Sequence, residues 1–322
     1  MMTLQKILGA IPFALAALVA SVPVQSALAF PEKEVELIVN YGAGGSTDLS
    51  TRVLAEAAAG ILGQPLRVVN RAGGSGTVGP AFLAKAKPDG YTIGVASFSP
   101  MAVVPHLQEV PYSLDDFRFI VGHARYRSGL AVATGSPFQS MADVVEATRS
   151  GRELTYAATD ALGAITMTRL GQEIGASFKW IRYSSGQEAT TAALGGFVDL
   201  LVENPTSIAP QVKNGALRLL ASTSSVRWYE LPEVPTLKEQ GYDVEVESYA
   251  GLAAPADTPD DVIKVLEEAF AKAINSEQVQ ATLRNLGMEP VYLSSKQYES
   301  LLKEGYRAMA RDLPKAGLVK DN

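Results

Sequence analysis

Short runs of β-branched and aliphatic residues alternate along this chain with amphipathic stretches of helical length, and that alternation most restricts its fold. VELIVNY (35–41) reads as a strand, and LSTRVLAEAAAGIL (49–62) as a helix with Leu49, Val53, Ala57 and Ile61 on one face. LRVVN (66–70), YTIGVAS (91–97), LAVAT (130–134), LTYAAT (154–159), FKWIRY (178–183), VDLLVE (198–203) and LRLLAS (217–222) predict further strands. VGPAFLAKAK (78–87) and ATTAALGG (189–196) are among the helices between them. Strands separated by helices need crossover connections, which give βαβ units and a mostly parallel sheet. After Ser225 the rhythm changes to the proline-punctuated RWYELPEVPTLKEQGYDVEV, then SYAGLAAP, then two helices. The first of these is predicted to take Thr258 as N-cap and Pro259 as its first residue, with Asp260 and Asp261 in its first turn, so that free amides and the helix dipole are both satisfied.

The N-terminus reads differently. Lys6 precedes an uncharged apolar stretch from Ile7 to Ala20, and Ala27-Leu28-Ala29 forms an A-x-A cleavage pattern, so residues 1–29 are expected to be a secretory signal peptide. A membrane anchor would need about 20 apolar residues with flanking charges, whereas Pro12 and Pro23 interrupt or bound this run. Cleavage after Ala29 leaves 293 residues, enough for two domains that each bury a core. The expected location is therefore the periplasm. Cleavage removes one of the 28 basic residues and none of the 34 acids, leaving a formal net charge of −7, which argues against a nucleic-acid partner. The chain has no cysteine, which excludes disulfides, thiol nucleophiles and Cys-ligated metals and suits an oxidising compartment.

NYGAGGSTDLS (40–50) places three glycines before a helix, and a phosphate is the first ligand to test. A P-loop needs G-x-x-x-x-G-K-[ST], and no lysine follows Gly42 before Lys85. A second turn has G-x-G-x-x-G at Gly74, Gly76 and Gly79, but the strand that should end in a ribose-binding acid ends in Ala96, Ser97 and Phe98. What remains is a turn of backbone amides at a helix N-terminus with the Ser46 and Thr47 hydroxyls beside it, which suits a carboxylate. Asp48 reads as a helix cap, since a carboxylate aimed at an anionic ligand would repel it. His106 and His123 are the only histidines; no H-E-x-x-H occurs, and Thr77 breaks a G-x-S-x-G at Gly73 to Gly76. Both histidines read as surface or turn residues. No catalytic residue, metal ligand or cofactor motif can be named, although a periplasmic enzyme working through carboxylates stays open as an alternative.

YGAGGSTDLSTRVLAE, followed by LGQPLRVVNRAGGSGTVGPAFLAKAKPDGYTIGVAS, closely resembles the extracytoplasmic receptors of tripartite tricarboxylate transporters, the Bug family. The likeness continues through TYAATDALGAIT, RYSSGQEATTAALGGFVDLLVENPTSI, LRLLASTSSVRWYELPEVPTLKEQGYDVEVESYAGLAAPADTP and the closing helices. It implies an α/β, two-lobed periplasmic binding protein (type II-like), with mixed, mostly parallel sheets and a hinge cleft that closes on a small carboxylate. On this likeness lobe one comprises 30–125 and 222–322, lobe two 126–221, and the hinge lies near 124–130 and 219–224. The implied protein is a monomeric, non-enzymatic receptor without a cofactor, delivering its ligand to integral membrane transporter subunits or, alternatively, to a signalling partner.

Carried over by position, the implied ligand-binding residues are Tyr41, Gly42, Ala43, Gly44, Gly45, Ser46 and Thr47, with Thr159, Asp160, Ala161, Leu162 and Gly163 facing them. Ser97, Phe98, Tyr183, Asn204 and Tyr249 match further cleft positions. Two departures bear on the ligand. Asp160 stands where relatives carry a small Ser- and Gly-rich turn, and Ser184 where they often carry a cation. Strand alternation turns Arg182, the nearest cation in sequence, away from the face of Tyr183. The expected ligand therefore has one carboxylate and a neutral or cationic far end, with Asp160 accepting from its amine or hydroxyl.

Overall fold

The computed structural model describes residues 30–183 and 186–318, so the expected signal peptide and Ser184 lie outside the described residues. The chain lays down β1 (Val35–Val39), α1 (Ser46–Leu62), β2 (Leu66–Asn70), a short α2 (Val78–Leu83) and β3 (Thr92–Val95). A wide turn at Ser99–Val103 leads into α3 (Val104–Leu107) and the long β4 (Phe117–Tyr126). After Arg127 and Ser128 the chain enters a second layer: β5 (Gly129–Ala133), α4 (Met141–Arg149), β6 (Leu154–Ala158), α5 (Ala161–Ile174), β7 (Phe178–Arg182), α6 (Gly186–Leu194), β8 (Leu200–Glu203), α7 (Pro205–Lys213) and β9 (Leu217–Ser222). It returns through 223–247 to β10 (Ser248–Pro255), α8 (Asp260–Ile274), α9 (Glu277–Asn285), β11 (Met288–Ser294) and α10 (Ser295–Lys315). Among the described residues no helix is long and apolar enough to cross a membrane.

Two mixed sheets result, one in each lobe of a two-lobed α/β fold. Sheet one is six-stranded in the order β11-β4-β10-β3-β1-β2, and sheet two five-stranded in the order β7-β6-β8-β5-β9. The helix-linked strands pair in parallel, β1 with β2 and β3, and β6 with β7 and β8. β10 is antiparallel to β3 and β4, β11 to β4, and β5 to β8 and β9. Sheet two shows why its strands read as nearly continuous apolar runs. Leu130, Val132, Leu154, Tyr156, Leu200 and Val202 pack in one core with Val144 and Leu170, while Ala131, Ala157 and Leu201 pack on the other face with Ala189 and Ile208. A strand buried on both faces needs apolar residues at both parities.

Several sequence expectations change. The buried residues of α1 are Thr47, Asp48, Ser50, Thr51, Leu54, Ala55 and Ala58, whereas Leu49 and Ile61 are exposed. Small residues let the helix sit close, and the Ser50 and Thr51 hydroxyls lose their polarity by donating to the Thr47 carbonyl at 3.0 and 2.6 Å. Pro259, not Thr258, caps α8, with ψ at 148°; the Thr258 hydroxyl instead donates to the Pro255 carbonyl at 2.7 Å, closing the preceding turn. His123 is no surface residue. It is fully buried in β4, inside the register shift between Ala250 and Gly251, and burial lowers its pKa to about 4, so its ring is neutral. His106, half-buried, lies against the Tyr306 ring, 4.1 Å between centroids.

Gly122 and Gly251 pair across β4 and β10, and together they admit Tyr298. That fully buried ring donates its hydroxyl to the Ala96 carbonyl. A Cβ on Gly251 would come within 2.2 Å of the ring. Gly251→Ala is therefore expected to destabilise the protein by about 1–3 kcal/mol through overpacking. Urea denaturation checks this, and an unchanged midpoint would mean that α10 slides away at no cost.

Candidate functional site

The chain passes between its sheets twice, and the passages lie side by side. The Thr223 amide donates to the Ser128 carbonyl at 2.9 Å, and the Val246 amide to the Thr223 carbonyl at 3.1 Å. Next to them opens a cleft of about 370 Å³, within the usual range for small-molecule sites. Tyr41, Gly45, Ser46, Thr47, Ser97 and Ser99 line it from the sheet-one side, and Thr159, Asp160, Leu162, Gly163, Val202, Glu203 and Asn204 from the sheet-two side. Tyr126, Arg127, Ser128 and Ser248 line it along the passages. The parallel strands β1, β6 and β8 end here and the helices that follow begin here, as expected of ligand sites in open α/β sheets.

On the sheet-one wall the glycine-rich turn is held by Asp48. Its carboxylate, almost wholly buried, accepts from the Gly44 amide at 2.9 Å, from Arg52 Nε at 3.0 Å and from Asn70 Nδ2 at 2.9 Å. Burial pushes the Asp48 pKa up, but these bonds and the charge of Arg52 outweigh it and hold the group below its ordinary value. Gly44 takes φ 82°, which a residue without Cβ adopts freely. Gly45 is the N-cap of α1, and no side chain caps that helix, so its first amides stay available beside the Ser46 hydroxyl. The Thr47 hydroxyl shares a hydrogen bond with the Tyr126 hydroxyl at 2.8 Å. The second glycine-rich turn backs this wall: Asn40 Nδ2 donates to the Gly76 carbonyl at 3.1 Å, and a Cβ on Gly76 would meet the Tyr41 ring at 2.9 Å. Its glycines serve close packing, not a dinucleotide.

The facing wall is acidic. Asp160 is the N-cap of α5 and accepts from the Gly163 amide at 2.9 Å. It opens to the solvent of the cleft while protein surrounds it otherwise; that burial raises its pKa, against the Gly163 and Leu162 amides and the charge of Arg182. Glu203, only 5% exposed, accepts from the Thr159 hydroxyl at 2.7 Å and from the Asn204 amide and side chain at 3.3 and 3.2 Å. Burial raises its pKa as well, with Asp160 adding to the effect. Asn204 caps α7, accepting from the Ser207 amide at 3.2 Å.

Of the residues carried over from the sequence, Tyr41, Gly45, Ser46, Thr47, Ser97, Thr159, Asp160, Leu162, Gly163 and Asn204 come together in the cleft. Gly42, Ala43 and Gly44 form the exposed outer part of the turn, and the Gly44 amide is already bound by Asp48. Phe98 leaves the site for the core, where its ring fills the space beside Gly305 on α10. Ala161 and Tyr249 pack against that same core, and the Tyr249 hydroxyl donates to Glu247. Tyr183 packs with the α6 and α7 face of sheet two. Sequence reasoning passed over Ser99, Tyr126, Arg127, Ser128, Val202, Glu203 and Ser248. Glu203 left one signal, an acid closing the apolar run LLVE directly before the Asn-Pro start of a helix. Arg127 lines the cleft, but its fully buried guanidinium makes a bidentate pair with Glu230 at 2.9 Å and lies 3.9 Å from the Tyr229 ring centre. Among the described residues no group of three His, Asp or Glu could hold a metal ion.

Residues 50–318 match the family model described as tripartite tricarboxylate transporter family receptor. The chain is 31% identical over 310 residues to protein BugT of Bordetella pertussis, covering 94% of this chain and 95% of that protein. It is similar in structure to a ligand-free TctC solute binding protein from Polaromonas, with a TM-score of 0.79 at 25% identity over 89% of this chain and 99% of that one. It is likewise similar to R. palustris Rpa4515 with adipate, with a TM-score of 0.77 at 26% identity over 91% and 100%.

The Asp48 bracket has a pH signature. Its folded pKa lies below the ordinary value of 3.8, so its stabilisation is complete above the unfolded carboxyl's range and is lost as pH falls through the folded value. Asp48→Asn is expected to cost about 2 kcal/mol at neutral pH and to narrow the gap to wild type as both are acidified. Denaturant titrations between about pH 3 and pH 7 check this, and equal stability at every pH would show that the bracket contributes nothing.

Proposed function

The chain belongs to the tripartite tricarboxylate transporter receptor family, whose members are solute-binding receptors and not enzymes, and from that premise we propose that it captures a small carboxylate in the periplasm and hands it to the membrane subunits of such a transporter. One observation carries this reading: the uncapped N-terminus of α1, with Ser46 and Thr47 beside it, borders the cleft where the two sheets face each other. Helix amides at a positive dipole end, in a partly desolvated cleft, bind a carboxylate without any cationic side chain. The adipate bound to the R. palustris protein, a structural relative at 26% identity, supports a carboxylate as the ligand class.

In this proposal residues 1–29 direct export and are removed, and the monomeric receptor divides into lobe one (30–125 and 222–322) and lobe two (126–221). Ligand draws the lobes together by rotation near 124–130 and 219–224. The bonds linking Ser128, Thr223 and Val246 support a hinge there, because backbone bonds at the axis survive a rotation that displaces the outer ends of both sheets.

Calorimetry with mono-, di- and tricarboxylates tests the reading, alongside Ser46→Ala and Gly44→Val. At least one carboxylate is expected to bind and to be recovered unchanged. Ser46→Ala should weaken it by about 1 kcal/mol, roughly fivefold, for one lost hydrogen bond, and Gly44→Val should weaken it further by forcing a φ that valine disfavours. Turnover of the ligand, or wild-type affinity in both variants, sinks the proposal. A second measurement addresses the motion: the radius of gyration from X-ray scattering is expected to fall on saturation, and no change at saturating ligand rules out a closing hinge.

A further inference from the structure

The sheet-two wall carries carboxylates where the fold itself supplies anion sites. Helices α5, α6 and α7 begin at the ends of β6, β7 and β8, and each helix N-terminus favours a negative charge. The chain's own acids stand at or beside those positions. Asp160 caps α5. Glu203 ends β8 directly before the cap of α7, and a Cβ on Gly186, the first residue of α6, would come within 2.9 Å of its Oε2. Both acids line the cleft. A second carboxylate from a ligand would meet both acids, with the α5 end held by Asp160 and the α7 end capped by Asn204.

Nor do the described residues pair a cation with them. Among the described residues neither Asp160 nor Glu203 forms an ion pair. Arg127 is committed to Glu230, and Arg182, exposed on β7, acts on Asp160 only through space. Burying an unpaired carboxylate is costly, and a ligand that brings positive charge to Glu203 relieves that cost. The opposite wall asks for the reverse. Ser97 there is 3% exposed, lines the cleft, and its hydroxyl has no protein partner, so it stands with the α1 amides as a donor for an acceptor on the ligand. The cleft is thus polarised, with donors on the sheet-one side and acceptors on the sheet-two side.

We propose that Glu203, assisted by Asp160 and Thr159, forms an ammonium subsite, and that the solute is an amino carboxylate whose charged ends lie far enough apart to touch both walls. This rests on the receptor reading above. Its consequence is selectivity: Glu203 rejects a dicarboxylate and attracts a zwitterion of the same length.

Two length-matched trios test it by calorimetry: adipate, hexanoate and 6-aminohexanoate, then succinate, butyrate and 4-aminobutyrate. In at least one trio the amino acid is expected to bind at least tenfold tighter than both the mono- and the diacid. Glu203→Gln, whose oxygen can still accept from Asn204 and whose amide can donate to the Thr159 hydroxyl, is expected to abolish that preference, the amino acid weakening at least tenfold while the monoacid does not weaken. Thermal melting confirms that the variant is folded; should it not be, Asp160→Asn, which retains the helix cap, is expected to reduce the same preference. Tightest binding of the diacid in both trios, or an unchanged preference in the folded variant, overturns the subsite and leaves the receptor reading intact. Failure of all six compounds to bind overturns the subsite, and the receptor reading then stands or falls on the tricarboxylates tested above.

Discussion

At the seam between the sheets, the Thr223 amide donates to the Ser128 carbonyl and the Val246 amide to the Thr223 carbonyl, and the placement of the cleft follows from that alignment. β4 runs to Tyr126 and β5 starts at Gly129, so the chain leaves one sheet and joins the other almost without a loop. Strand ends of both sheets are thereby brought to the same side of the molecule. Beside the seam lies the pair of the buried Arg127 and the half-buried Glu230, with Tyr229 against the guanidinium, and the Tyr229 hydroxyl donates to the Arg284 carbonyl at the end of α9. A largely buried ion pair of this kind fixes geometry more surely than it stabilises, because removing either partner strands a charge. The pair thereby anchors Arg127 beside the passage, and the layers on either side meet again where α5 packs against α10.

The two walls treat the same functional group in opposite ways. Asp48 meets a cation and several donors, so its negative charge is stabilised and its pKa falls. Glu203 meets donors but no cation, with another acid nearby, and its pKa rises. Burial opposes ionisation at both positions; the presence or absence of an arginine decides the sign. Asp48 thus spends its acceptor capacity inside the turn and leaves the α1 amides free, whereas Glu203 lines the cleft with no cation beside it. One acid prepares a site for an anion and the other makes the facing site hostile to one.

Much of this was legible in the sequence for a definite reason. Strands that run parallel must be linked by helices, so β1, β2, β3, β6, β7 and β8 announce themselves through the change of period. β4 runs into β5 with no helix between, and β11, MEPVYLS, is interrupted by Pro290, so both pass unnoticed; β10, SYAGLAAP, is half alanine and glycine, which carry little strand preference. The glycine turn with Ser46 and Thr47 was legible because backbone amides at a helix start depend only on local order. Phe98 was not, since only the space beside Gly305 on a distant helix reveals that its ring turns into the core. Glu203 stayed hidden because its meaning comes from Thr159 and Gly186, which topology alone brings to it. The buried face of α1 misled for a related reason: hydroxyls that bond back to their own helix pack as apolar groups do, and a hydropathy pattern cannot register that.

Helix α5 joins the cleft to the far edge of the molecule. Its first turn lines the cleft through Leu162 and Gly163, while Leu162 and Ile165 also enter the core that holds Met309 and Leu313 of α10. One turn further on, Arg169 bonds Asp312 of α10 and the Glu245 carbonyl. The rotation proposed above would shift α5 against α10. The ion pair resists this weakly, because both partners are partly solvated and such pairs contribute about 0–1 kcal/mol. The apolar contact is small and resists little more. In the proposed closure a clasp of this strength would guide the path without deciding the equilibrium, which is left to whatever pairs with the donors of one wall and the acceptors of the other.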